Sequence, residues 1–125
     1  MRAAVPHTKG KVDRNGVNLH YEIYGDGEQT ILFLPVWMIA NSEIHKGQVP
    51  YFSDNYRCIT WDPRGNGKSD KPTDVSEFGH DHYVADALAI MDATGTNSAV
   101  IFGFSQSGPT AALLAAYHPN RVQAL

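Results

Sequence analysis

The residues richest in chemistry are Gly103-Phe104-Ser105-Gln106-Ser107-Gly108. An apolar run, Ala99 to Phe102, enters this corner, and an alanine-rich stretch of helical character leaves it as far as Tyr117. Strand, sharp turn and helix in that order make a nucleophile elbow. There the turning serine takes a strained backbone, and its neighbours must be small because chain segments pass close together. Gly103 and Ser107 stand at the two flanking positions, and Gly108 follows. Ser105 would then expose its hydroxyl at the carboxyl edge of a sheet. The Gln106 N–H, in the first turn of the helix, would face the same point, where unpaired donors and the helix dipole favour a developing oxyanion. The pattern is G-x-S-x-S-G where G-x-S-x-G is commoner, and Ser107 takes the place of the second glycine. An ordinary strand-to-helix turn capped by Ser105 is the other reading of the same six residues.

A second cluster, Asp62-Pro63-Arg64-Gly65-Asn66-Gly67-Lys68-Ser69, ends like a phosphate-binding loop. Such a loop needs glycine where this chain has Asp62, and a carboxylate there would oppose phosphate. Nucleotide binding is therefore rejected. A tight strand-end turn fits better: Gly65 and Gly67 let the backbone fold back, and Arg64 offers a fork of donors to carboxylates or loop carbonyls.

Together the two clusters resemble the α/β-hydrolase superfamily, in which D-x-R-G-x-G-x-S closes the fourth strand some forty residues ahead of the elbow on the fifth. The matching residues are Asp62, Arg64, Gly65, Gly67 and Ser69, then Gly103, Ser105 and Ser107; Tyr83-Val84-Ala85-Asp86 between them also looks like the family's sequence. The resemblance extends from about Val12 to Leu125. It implies Ser105 as nucleophile, an oxyanion hole of backbone N–H groups, a small-molecule ester or related acyl or carbon–carbon bond as substrate, and no cofactor. Asp86 reads as a structural partner. The family's third strand normally ends in His-Gly, the next residue supplying the second oxyanion donor. Here the residues are Pro35 and Val36, so Trp37 becomes the candidate donor, with a pocket wall or plain core as its other readings. The family's acid and histidine come later in the chain than Leu125. Residues 1–125 are thus expected to be one partial domain, cut near the sixth strand and inactive alone. The alternative is a non-catalytic half-domain that binds or self-associates through an uncovered sheet edge.

Among local histidines, only His80 and His82 open a helix on the edge that carries Ser105, and surface placement is their simpler reading. His118 lies at the far end of the elbow helix, about 16–18 Å away at 1.5 Å per residue. His7, His20 and His45 show no metal-ligand spacing on a helix face and there is no cysteine pair; His80-x-His82 is the one candidate pair, and no metal is expected.

The elements that must position these residues follow from periodicity. Lys9–Asp13 and Val17–Tyr24 read as strands joined through Asn15-Gly16, the second with Val17, Leu19, Tyr21 and Ile23 inward and His20 on its polar face. Thr30–Leu34 is a continuous apolar strand, as parallel strands covered on both faces are. Ser42–Asn55 opens on a capping-type serine, but Gly47 and Pro50 make it an interrupted helix. Tyr56–Asp62 is a strand, Pro72–Gly79 a loop and His80–Thr94 an amphipathic helix stopped at Gly95. The elbow strand and helix come next, and Val122–Leu125 begins another strand. The class is α/β, with antiparallel hairpin strands and then a mainly parallel sheet with flanking helices.

Composition sets the outer limits. The 125 residues carry a net charge of -3, and 42% are hydrophobic. That balance gives no basic face for nucleic acid or an anionic membrane. The apolar run from Ile31 to Ala40 is too short to span a bilayer and is broken by Pro35. Cys58 is the only cysteine, in a strand-like run where a buried apolar role is expected. A cytoplasmic location is the reading these features support.

Overall fold

The computed structural model describes residues 3–125. Strands β1 (Thr8–Arg14) and β2 (Val17–Tyr24) form an antiparallel hairpin closed by Asn15 and Gly16. Both turn residues have positive φ, 53° and 87°, which asparagine and glycine tolerate and a two-residue hairpin loop demands. Strand β3 (Thr30–Phe33) is followed by a 3-10 turn at Ser42–His45 and a single-turn helix α1 (Val49–Phe52). Strand β4 (Arg57–Trp61), helix α2 (His80–Ala93), strand β5 (Ala99–Phe102), helix α3 (Ser107–Tyr117) and strand β6 (Val122–Ala124) complete the order.

The six strands make one sheet in the order β1-β2-β4-β3-β5-β6. Pairs β1–β2 and β2–β4 are antiparallel, while β4–β3, β3–β5 and β5–β6 are parallel. Side-chain alternation divides the interior in two. On one face Leu19, Leu32, Ile59 and Ile101 pack with Ala87, Ile90 and Met91 of α2 and Leu114 of α3. On the other, Ile31, Phe33 and Cys58 pack with Val49 of α1. Burial pushes the Cys58 thiol up to about 11, so it behaves as a small apolar residue.

Four local expectations change. The segment Ser42–Asn55 is interrupted as its glycine and proline require, but its cap is Asn41, whose side chain accepts from the Glu43 N–H. His20 is buried, because the turn after β4 folds over it: the Ser69 hydroxyl accepts from the His20 N–H at 2.9 Å. The loop before α2 contains a 3-10 turn, Val75–Glu77, capped by Asp74. Strand β3 ends at Phe33, although the Leu34 N–H still bonds the Phe102 carbonyl at 2.9 Å. No helix among the described residues is long and apolar enough to cross a membrane.

Candidate active site

Strand β5 delivers the chain to Ser105, whose φ of 58° makes it, with Asn15, one of two non-glycine residues in the left-handed region among those described. For serine that conformation is costly, and local bonds hold it. The buried Ser107 hydroxyl bridges both backbone groups of Phe104, each at 2.9 Å, and the Gly108 N–H reaches the Ser105 carbonyl at 3.0 Å. Gly103 is required by space: a Cβ there would meet the Ala111 methyl at 2.8 Å and the Ser107 carbonyl at 3.0 Å. Gly108 faces open space, so its missing side chain answers to no contact. Ser105 and Gln106 are exposed. Among the described residues, neither the Ser105 hydroxyl nor the Gln106 N–H has a hydrogen-bond partner.

The loop after β3 lies against this corner. The Gln106 side-chain oxygen accepts from the Met38 N–H at 3.2 Å, and the Asn66 amide donates to the Met38 carbonyl at 3.1 Å. One peptide residue is therefore held from both ends, by the elbow and by the turn after β4. The preceding Trp37 is 52% exposed, which removes the core reading, and its N–H has no acceptor among the described residues. Its carbonyl accepts from the Ala40 N–H, giving the loop a tight turn.

Asp62 organises the turn after β4. Its carboxylate accepts from the Ser42 N–H and the Lys68 N–H, each at 2.8 Å, joining the β3 loop to its own turn. Gly67, at φ 58°, lies directly against that carboxylate, and Gly65, at φ 88°, lies under the Phe78 ring. Arg64 is fully buried and grips both oxygens of Asp86 at 2.7 Å while also donating to Glu77. Burial alone would weaken the guanidinium charge, but Asp86 and Glu77 more than offset it and raise its pKa. Arg14 on the hairpin also donates to Asp86. Asp86 thus ties α2 to the sheet from between two arginines.

None of the described histidines near the site bonds the Ser105 hydroxyl, although His80 and His82 each keep Nε2 without a partner among the described residues. His80 bonds the Thr110 hydroxyl at 2.9 Å, and His82 meets Arg14 at 2.7 Å. His45 is buried beneath the β3 loop, with its Nε2 on the Leu34 carbonyl at 3.2 Å and its ring against Phe33 and Phe102. Burial lowers its pKa, only partly opposed by the Leu34 carbonyl. No group of three metal-ligating side chains occurs among the described residues. Leu34, Met38, Tyr83, Gln106 and Thr110 line a small cavity beside the elbow with about 10 Å³ for a water centre, room for roughly one water.

The sequence did not disclose the Met38 clamp. Its signals are the amide side chains of Asn66 and Gln106, uncharged residues that only the folded proximity of three loops explains. His45 was equally hidden, since nothing in its spacing marks it as buried.

Residues 32–125 match the family described as the alpha/beta hydrolase fold, and the chain belongs to that family. It is 33% identical over 120 residues to the mouse (Mus musculus) protein "Serine hydrolase BPHL", covering 93% of this chain and 40% of that one. It is 30% identical over 115 residues to "3-oxoadipate enol-lactonase 2" of Acinetobacter baylyi, covering 92% of this chain and 42% of the relative. A solved variant of a Vigna radiata epoxide hydrolase superposes with a TM-score of 0.85 at 26% identity, over 94% of this chain and 36% of that one. The chain thus spans about two-fifths of the length of these relatives.

Proposed function

We propose that Ser105 is the nucleophile of a serine hydrolase that cleaves a small carboxylic ester or lactone through an acyl-enzyme. The carrying observation is the backbone of Ser105, a non-glycine residue at φ 58° with its side chain exposed at the strand-to-helix corner. The N–H groups of Gln106 and Trp37 are the oxyanion donors in this reading, supported by their lack of acceptors and by the Gln106–Met38 bond that brings the two loops together. The Ser105 oxygen attacks the carbonyl carbon, the two N–H groups stabilise the negative oxygen, the alcohol leaves with a proton, and water then releases the acid.

The named relatives include a lactonase and an epoxide hydrolase. A serine at the elbow favours acyl chemistry between these two. Opening an epoxide with an alkoxide leaves an ether, which has no acyl carbon for water to attack, so a turnover begun by Ser105 could not finish. An ester or lactone leaves an acyl-serine, which can.

A base and its orienting acid would lie in the same single domain but outside residues 1–125, because none of the described histidines bonds the Ser105 hydroxyl and the chain spans about two-fifths of its relatives' length. The test is a Ser105→Ala substitution in the longest gene product containing these residues, assayed on aryl esters and lactones. A fall in kcat of roughly a thousandfold or more is expected, with no turnover above the residual level from the 125-residue chain itself. Unchanged kcat in the variant would reject the proposal.

A further inference from the structure

The stretch from Leu34 to Asn41, which carries the Trp37 N–H, has no helix or strand of its own. Its two ends are fixed. The Leu34 N–H bonds the Phe102 carbonyl at 2.9 Å, the Leu34 carbonyl meets His45 Nε2 at 3.2 Å, and the Ser42 N–H donates to Asp62 at 2.8 Å. In between, the Trp37 carbonyl accepts from the Ala40 N–H at 3.0 Å, the Met38 N–H donates to Gln106 Oε1 at 3.2 Å, and the Met38 carbonyl accepts from Asn66 Nδ2 at 3.1 Å. The Trp37 carbonyl and the Met38 N–H belong to one planar peptide, so that plane is held at both edges. Only the two backbone dihedrals of Trp37 separate it from the plane bearing the Trp37 N–H, which begins at the buried Val36.

Two of these partners are side chains that come from other loops. Asn66 uses both ends of its amide: Oδ1 accepts from the Gly67 N–H at 2.6 Å, which assigns Nδ2 to Met38. Gln106 is exposed, and its side chain makes no other hydrogen bond among the described residues. Ordering a long exposed side chain costs conformational entropy, and one neutral hydrogen bond returns little stability. The gain lies in what the bond places. Gln106 offers one N–H from its own backbone beside Ser105, and its side chain holds the loop that carries the other.

We propose that the side chains of Gln106 and Asn66 are positioning residues for the oxyanion hole: through Met38 they set the Trp37 N–H relative to the Gln106 N–H, so that both donors meet one oxygen. The inference rests on Ser105 as the nucleophile and deepens that reading. Neither side chain touches substrate in this role; each acts through the Met38 backbone. Hydrogen-bond donors of this kind act on charge that develops only in the transition state, so moving one of them by about 1 Å lowers kcat and leaves substrate binding nearly intact.

The experiment compares Gln106→Leu and Asn66→Ala with the parent in the longest gene product containing these residues, on an aryl ester. Each variant should lose about tenfold to a hundredfold in kcat, with KM changed by less than about threefold. Inhibition by an alkyl trifluoromethyl ketone supplies a readout that a purely structural role would not move. Its carbonyl carbon bonds the Ser105 oxygen and leaves a negative oxygen on the two donors, whereas the matching trifluoromethyl alcohol has the same shape and forms no such oxygen. The inhibition constant of the ketone should rise in step with the loss in kcat/KM, and that of the alcohol should stay constant. Gln106→Leu decides the matter should Asn66→Ala disturb the turn after β4. Parent-like kcat in Gln106→Leu, or equal weakening of ketone and alcohol, would overturn this proposal alone. A parent protein that the ketone inhibits no better than the alcohol, with kcat unchanged in Ser105→Ala, would overturn the Ser105 reading together with it.

Discussion

At the scale of single residues, the corner is held by what small side chains permit. Gly103 lets α3 approach β5, so Gly103→Ala forces the new methyl into Ala111 and the Ser107 carbonyl. Overpacking of that kind should cost about 1–3 kcal/mol, read as a lower urea midpoint with an unchanged slope. Asp86 works by charge. Its removal in Asp86→Ala leaves the fully buried Arg64 without its bidentate partner and takes the carboxylate acceptor away from Arg14. A loss of about 3 kcal/mol is expected in the same assay, because the buried guanidinium then keeps only the part-exposed Glu77 as its charge partner. A catalytic acid at this position would instead leave stability nearly intact.

At the scale of elements, three loops meet at Met38: the end of β3, the turn after β4 and the start of α3. Asn66→Ala frees the Met38 carbonyl, and the amides of Trp37 to Ala40 should then exchange with deuterium at least about fivefold faster while β4 and β5 keep their protection. Unchanged exchange would show that the Gln106 contact alone fixes the loop. The elements themselves were legible in the chain because their signals are local. Asn15-Gly16 sets the hairpin, the run at Thr30–Phe33 marks a strand covered on both faces, and Gly95 stops α2. The candidate serine was legible for the same reason, since the elbow occupies six consecutive residues. What escaped depends on chain segments far apart in sequence. His20 looked solvent-facing by alternation, but Ser69 closes over it from 49 positions away. Trp37 had three possible places, and only the loop's packing exposes it.

At the scale of the whole molecule, stability should depend on pH through His45. Its folded pKa lies below the ordinary 6.5 because burial opposes its charge. The unfolded chain therefore takes up a proton below that value that the folded chain refuses. Stability is full above about pH 6.5 and falls as the pH drops toward the folded pKa, by up to ~1.4 kcal/mol per pH unit from this one group. Urea unfolding at pH 7.5 and 5.5 should show the decline, and His45→Gln should flatten it; an unchanged slope would assign the acid sensitivity elsewhere. The central claim concerns Ser105, and covalent trapping tests it most directly. The longest gene product containing these residues is treated with a fluorophosphonate, and the adduct is located by peptide mass spectrometry. One phosphonyl group on Ser105, absent from the Ser105→Ala variant, is the predicted result. An adduct on another residue, or equal labelling of the variant, would contradict the account.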